Sequence, residues 1–138
     1  MDQMASLHGS AGYAVLLDCR SLSVEKVPVP EDKYTFLVVN SGVKHSHAGG
    51  EYVVRRQSCE QVATLLGKTS LRDVSIRELE SCQASLPDEL YRIARHVLTE
   101  NERTLNAAEA LKRSDIAVLG ALMTQVRTYV NFNTKQTS

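Results

Sequence analysis

The sequence predicts an α+β fold, an antiparallel strand meander followed by several helices. Three observations point there. Short apolar runs rich in β-branched and aromatic residues crowd the first forty positions, and from about residue 51 the apolar period changes from two to near four. Residues with turn and cap chemistry, among them Gly12, Asn40, Gly67, Pro87 and Ser114, fall where the pattern changes.

Taken in order, residues 2–7 form a short helix that leads into the Gly-rich turn at 8–12. The run 13–18 is short, apolar and aromatic and reads as a buried strand, and 22–29 is a second strand whose closing Pro-Val-Pro suits an edge or an end. The run 33–40 has the strongest strand character of the three, closed by Asn40-Ser41-Gly42. Beyond the glycine turn, Val54, Cys59, Val62, Ala63 and Leu66 share a helical face, and Gly67 stands as its C-cap. A weaker helix covers 75–84 around Ile76, Leu79 and Glu80. The longest spans 88–112, with Pro87 just before it and a stripe of Leu90, Ala94, Val97, Leu105, Ala108 and Leu111. Ser114 and Asp115 then offer caps for a last helix using Ile116, Leu119, Met123 and Val126. Past Met123 the pattern is lost, so 124–138 is expected to be a divergent, disordered tail and 1–123 the folded segment.

The bounds on function are set by charge and composition. Among the 138 residues, sixteen basic side chains cancel sixteen acidic ones, so the electrostatic footprint of a nucleic-acid or anionic-membrane binder is missing. No apolar run is long enough to cross a bilayer, and the N-terminus lacks a basic region followed by an apolar one; a cytoplasmic protein is expected. Cys19, Cys59 and Cys82 are odd in number and widely spaced, which fits reduced thiols better than disulfides or a zinc site.

Candidate chemistry is sparse. His45 and His47 before Gly49-Gly50 have the spacing of a ligand pair on a strand, but no cysteine or carboxylate completes a metal set. The stretch 42–50 lacks the Lys-Ser/Thr of a P-loop, and no nucleophile elbow is present. Arg55-Arg56 and Arg92 with Arg95 could clamp phosphate, although two arginines on a helix usually form a solvated face. His96 reads as a packing residue, and Glu100 with Arg103 as a surface ion pair. Asp2 by itself reads as a helix N-cap rather than a base.

A collinear set of fragments changes the weight of these residues. Met1-Asp2-Gln3, Leu17-Asp18-Cys19-Arg20-Ser21-Leu22, Val39-Asn40-Ser41 with Val43-Lys44-His45-Ser46, and Glu51-Tyr52 with Arg55-Arg56 and Cys59-Glu60 come first. Ser70-Leu71-Arg72-Asp73-Val74 and Arg92-x-x-Arg95-His96-Val97 with Glu100 and Arg103 follow. In order and spacing the set resembles galactokinases over 1–123, and less closely their relatives the N-acetylgalactosamine kinases. The resemblance implies a partial fold of the GHMP kinase superfamily and the ATP-dependent phosphorylation of galactose to galactose 1-phosphate. It gives Asp2 the role of the catalytic aspartate, which takes or orients the proton of the anomeric hydroxyl, and Tyr52 a contact to the sugar. A carboxylate beside the attacking oxygen suits phosphoryl transfer, where the protein contributes mostly alignment and charge stabilisation. The family keeps that carboxylate ionised with an arginine from an upstream motif.

The same resemblance implies ATP and Mg²⁺ as cofactors, but the Gly/Ser-rich loop that cradles the phosphates, the upstream arginine motif and the closing glycine-rich motif have no counterpart in this sequence. An internal stretch of a longer protein is expected, from a truncated gene model or transcript, inactive alone. A non-catalytic sugar and nucleotide sensor acting on a protein partner, or a non-functional fragment, stays open beside the enzyme. Tyr52 likewise stays open between a sugar contact and a half-buried residue packing its helix onto the strands.

Overall fold

The computed structural model describes residues 2–30, 37–40, 42 and 51–134, with side chains left out at Glu51 and from Val126 onward. The architecture is mixed α+β, with a two-stranded antiparallel sheet and five α-helices among the described residues. Two compact units divide the chain: Met1–Val38 with Arg103–Ser138, and Val39–Glu102.

In the first unit, helix α1 (Asp2–His8) leads through a tight turn into β1 (Tyr13–Leu17), which pairs with β2 (Val24–Pro28) in the register Tyr13 to Pro28 and Leu17 to Val24. Pro28 closes its strand, where a missing N–H costs least. The loop between the strands is organised by Asp18, whose carboxylate accepts from the backbone N–H groups of Arg20 (2.8 Å) and Ser21 (3.2 Å). One face of the hairpin carries Ala14, Leu16 and the buried Val27 onto Ala108 and Leu111, joined by Ile116 and Leu119. The Lys112 ammonium, at the end of the helix that spans Asp88–Lys112, ties that helix to β2 by reaching Glu25 and Glu109 at 2.7 Å each.

The second unit is helical. Helix α2 (Glu51–Leu65) stops at Gly67, whose φ of 66° lets Lys68 N–H reach Ala63 O (2.8 Å) and Gly67 N–H reach Thr64 O (3.0 Å), the paired bonds of a Schellman end. A 3-10 turn at Leu71–Asp73 and helix α3 (Ile76–Ser81) follow. Ser75 and Glu78 close a reciprocal capping box at the start of α3, with Ser75 Oγ accepting from Glu78 N–H and Glu78 accepting from Ser75 N–H. The core is Val62, Ala63, Leu71, Val74, Leu79, Leu86, Ala94 and Leu98.

Helix α4 (Asp88–Lys112) begins directly after Pro87 and has the predicted bounds. It ends on Ser114, a non-glycine residue at φ 54°, with Asp115 N–H on Ala110 O and Ser114 N–H on Leu111 O. Asp115 then caps helix α5 (Ile116–Thr134) by accepting from Val118 N–H at 3.1 Å.

Four expectations need correction. Val97 and Leu105 are exposed, and Ala94, Leu98, Ala108, Ala110 and Leu111 supply the buried side of α4. Val54 is exposed because the partners from Leu71 to Leu98 cover only the later half of α2. Met123 is exposed, and α5 runs on through Thr134 where a loss of pattern was expected; 135–138 lie outside the described residues. Of the strand expected at 33–40, residues 33–36 lie outside the described residues, and 37–40 form no strand pairing among the described residues, with Leu37, Val38 and Val39 exposed.

Candidate functional site

Asp2 stands in the first turn of α1, exposed. A carboxylate at that end of a helix is favoured by the helix dipole, so the local structure explains its presence without any catalytic duty. Helix α1 buries no residue; only Met4 and His8, one turn apart on the same side, are half-buried. Its position therefore depends heavily on the backbone that follows. That backbone is well tied: Tyr13 N–H donates to Ser10 O (3.2 Å), and Val29 N–H donates to Gly12 O (2.8 Å), with Gly12 at φ 76°.

Tyr52 belongs to the second unit, at the start of α2, and is 76% exposed. Little of its side chain is covered by the rest of its own unit. Val53 and Val54 beside it are exposed as well. One turn on, Arg56 Nε donates to Glu60 at 2.9 Å, an exposed pair that holds the guanidinium pKa above its ordinary value, first through that hydrogen bond. Arg56 is thus engaged on a solvated helix face. Cys59, half-buried on the inner side, has its thiol pKa pushed up mainly by burial, which makes it a poor nucleophile.

Along α4, His96 and Glu100 face each other one turn apart, both half-buried, with Nδ1 3.8 Å from the carboxylate. Glu100, expected to pair with Arg103, thus has a histidine as neighbour too. His45 and His47 lie outside the described residues. Among the described residues no group of three or more His, Cys, Asp or Glu gathers in the manner of a metal site. A groove beside Asn106, Glu109, Arg113 and Leu122 is lined by neither Asp2 nor Tyr52. No helix of the described residues is long and apolar enough to cross a membrane.

Sequence reasoning did not foresee the Ser75–Glu78 capping box, although Ser-x-x-Glu ahead of an apolar run is its signature. Lys68 adds an ion pair to Glu78 at 2.9 Å, and Glu78 is drawn down to a pKa of about 2, first by Lys68 and then by the Ser75 hydrogen bonds. These are structural rather than catalytic perturbations, since capping and pairing use up the carboxylate.

No protein-family model matches the chain. Human galactokinase is 49% identical over 125 residues, 91% of this chain and 32% of that protein. The galactokinase of Actinobacillus succinogenes is 49% identical over 127 residues, again 32% of its length. A crystal structure of Lactococcus lactis galactokinase complexed with galactose superimposes with a TM-score of 0.71 at 28% identity, over 83% of this chain and 31% of that one. Fold and sequence together define a segment of a galactokinase-type α+β fold. Over that segment the chain is homologous to galactokinases, and it spans about a third of the length of the curated relatives it matches.

Proposed function

We propose that this chain is the part of a galactokinase that carries the acid/base carboxylate. In this reading Asp2 accepts the proton of the galactose anomeric hydroxyl as its oxygen bonds to the γ-phosphorus of ATP and ADP leaves. Tyr52 contacts the sugar from the start of α2. The single observation behind the reading is the sequence identity of 44–49% to galactokinases over about nine-tenths of the chain, joined to the shared fold. The exposure of Tyr52 agrees with it, since a sugar contact needs a side chain that is not already packed.

The reading assigns 1–123 to the galactokinase-like central segment of a GHMP-type kinase and 124–138 to a divergent end. It places the protein in the cytosol, where free thiols such as Cys19, Cys59 and Cys82 persist. ATP and Mg²⁺ supply the phosphoryl group and its charge neutralisation when bound. In this reading the chain's own share of the chemistry is the carboxylate and the sugar contact. General-base help is worth about 10²- to 10⁴-fold, while positioning and charge stabilisation at the phosphates carry the larger share. The 138-residue chain alone therefore transfers no phosphate.

The test is a coupled ADP-release assay with galactose on two proteins: the 138-residue chain, and a chimera in which it replaces the matched stretch of human galactokinase. The chimera is expected to turn over and the chain alone to be silent. A well-folded chimera that binds galactose without turnover would contradict the enzyme reading and favour a sensor.

A further inference from the structure

The joint between α1 and the strand hairpin is tighter than its sequence suggests. A Cβ built on Gly9 would lie 2.9 Å from the backbone oxygen of Ala5, a carbonyl already accepting the Gly9 N–H at 2.9 Å. That atom is backbone, so it cannot swing away as a side-chain tip would. On the far side of Gly9, Ser10 and Gly12 are pinned to β1 and to the residue after β2 by the bonds to Tyr13 and Val29. On the near side stands a helix with no buried residue. Gly9 thus joins a fixed turn to a lightly held helix whose opposite end carries Asp2.

We propose that Gly9 is a positioning residue for Asp2, because only a residue without Cβ lets α1 end close against the Ala5 carbonyl and so point its first turn as it does. This rests on the catalytic reading of Asp2 given above. The lever can be sized. Restoring an ordinary contact of 3.4 Å requires the carbonyl to yield by about 0.5 Å. The Ala5 oxygen lies 2.9 Å from the Gly9 nitrogen, whereas Asp2, seven residues away at 1.5 Å of rise each, lies about 10 Å away. A tilt about Gly9 that moves that oxygen by about 0.5 Å moves Asp2 by more than about 1 Å, and a misplacement of about 1 Å can cost about 100-fold in rate.

The experiment uses the full-length chimera and reads kcat, the KM values for galactose and ATP, and the melting temperature. Gly9→Ala should lower kcat by about 100-fold with the ATP KM unchanged, and it should add no further loss in an Asp2→Asn background. A kcat within about threefold of the parent, or losses that multiply in the double variant, would overturn the proposal. Should Gly9→Ala fail to fold, His8→Ala still decides. It trims a half-buried contact of α1 and keeps the joint, so kcat should stay within about threefold; a loss near 100-fold would show that packing, not Gly9, aims the helix. If Asp2→Asn alone leaves kcat unchanged, the catalytic reading and this proposal fall together, whereas failure of the Gly9 arms alone leaves Asp2 in its role.

Discussion

Replacing Tyr52 separates a sugar contact from a packing residue, and the structure fixes what each would cost. A tyrosine side chain offers on the order of 200 Å² for burial, and with about a quarter of Tyr52 hidden, Tyr52→Ala returns about 50 Å² to water. At about 25 cal/mol per Å² that is about 1 kcal/mol, and the higher helix propensity of alanine offsets part of it. Tyr52→Phe removes only the hydroxyl from an exposed site and should alter stability by less than about 0.5 kcal/mol. Leu79→Ala, at a fully buried position of the same unit, should cost about 2–5 kcal/mol and gives the scale of a packing residue. A hydroxyl hydrogen-bonded to the sugar contributes about 0.5–1.5 kcal/mol, so Tyr52→Phe should raise the galactose KM by about 2- to 12-fold. The assay is steady-state kinetics of the chimera beside its thermal melt. A melting temperature that falls toward that of Leu79→Ala while KM is unchanged would refute the argument.

The exposed apolar residues make a second prediction. Leu37, Val38 and Val39 are 84%, 92% and 76% exposed, and with Tyr52, Val53 and Val54 they should make the 138-residue chain bind a hydrophobic dye and self-associate when expressed alone. A monomer that melts cooperatively would contradict this. Glu78 gives a pH dependence. Its folded pKa of about 2 lies below the ordinary 4.5, so the stability it lends is fully present above about pH 4.5 and is lost as pH falls toward 2. The difference in melting temperature between the chimera and its Glu78→Gln variant should shrink over that window and weaken with salt, and a gap unchanged at pH 3 would count against it. At the end of α4, Ser114→Gly relieves a side chain held at φ 54° and should stabilise by about 1 kcal/mol in thermal or urea unfolding, whereas a loss would mean the Ser114 side chain matters more than its backbone.

Where local chemistry decides, the sequence was readable. Pro87 and the apolar stripe mark the start and course of α4, Gly67 ends α2, and Asp115 caps α5, because each acts on its own neighbours. Exposure was less readable, since it depends on what covers a side chain. Val54, Val97, Leu105 and Met123 continue helical apolar patterns yet lie beyond the reach of either core. The run 33–40 has strand propensity, but a strand needs an edge to pair with, and 37–40 pair with none among the described residues. The same limit holds at the site. Helix period alone cannot tell a tyrosine that packs from one that faces solvent, and a first-turn aspartate looks alike whether it stabilises a helix or takes a proton. In the sequence Gly9 is only part of a Gly-rich turn, because the proximity of the Ala5 carbonyl is a three-dimensional fact.

The central claim is that Asp2 is the acid/base group of a galactose-phosphorylating enzyme, and the most direct test is Asp2→Asn in the chimera, with ADP release followed at saturating galactose and ATP. Asparagine keeps the size and the hydrogen-bonding reach of the side chain while removing its basicity, and Asp2 stands exposed in a helix that buries nothing, so the fold should be undisturbed. The account predicts a fall in kcat of about 10²- to 10⁴-fold with an unchanged melting temperature. A kcat within a few-fold of the unsubstituted chimera would remove Asp2 from the reaction.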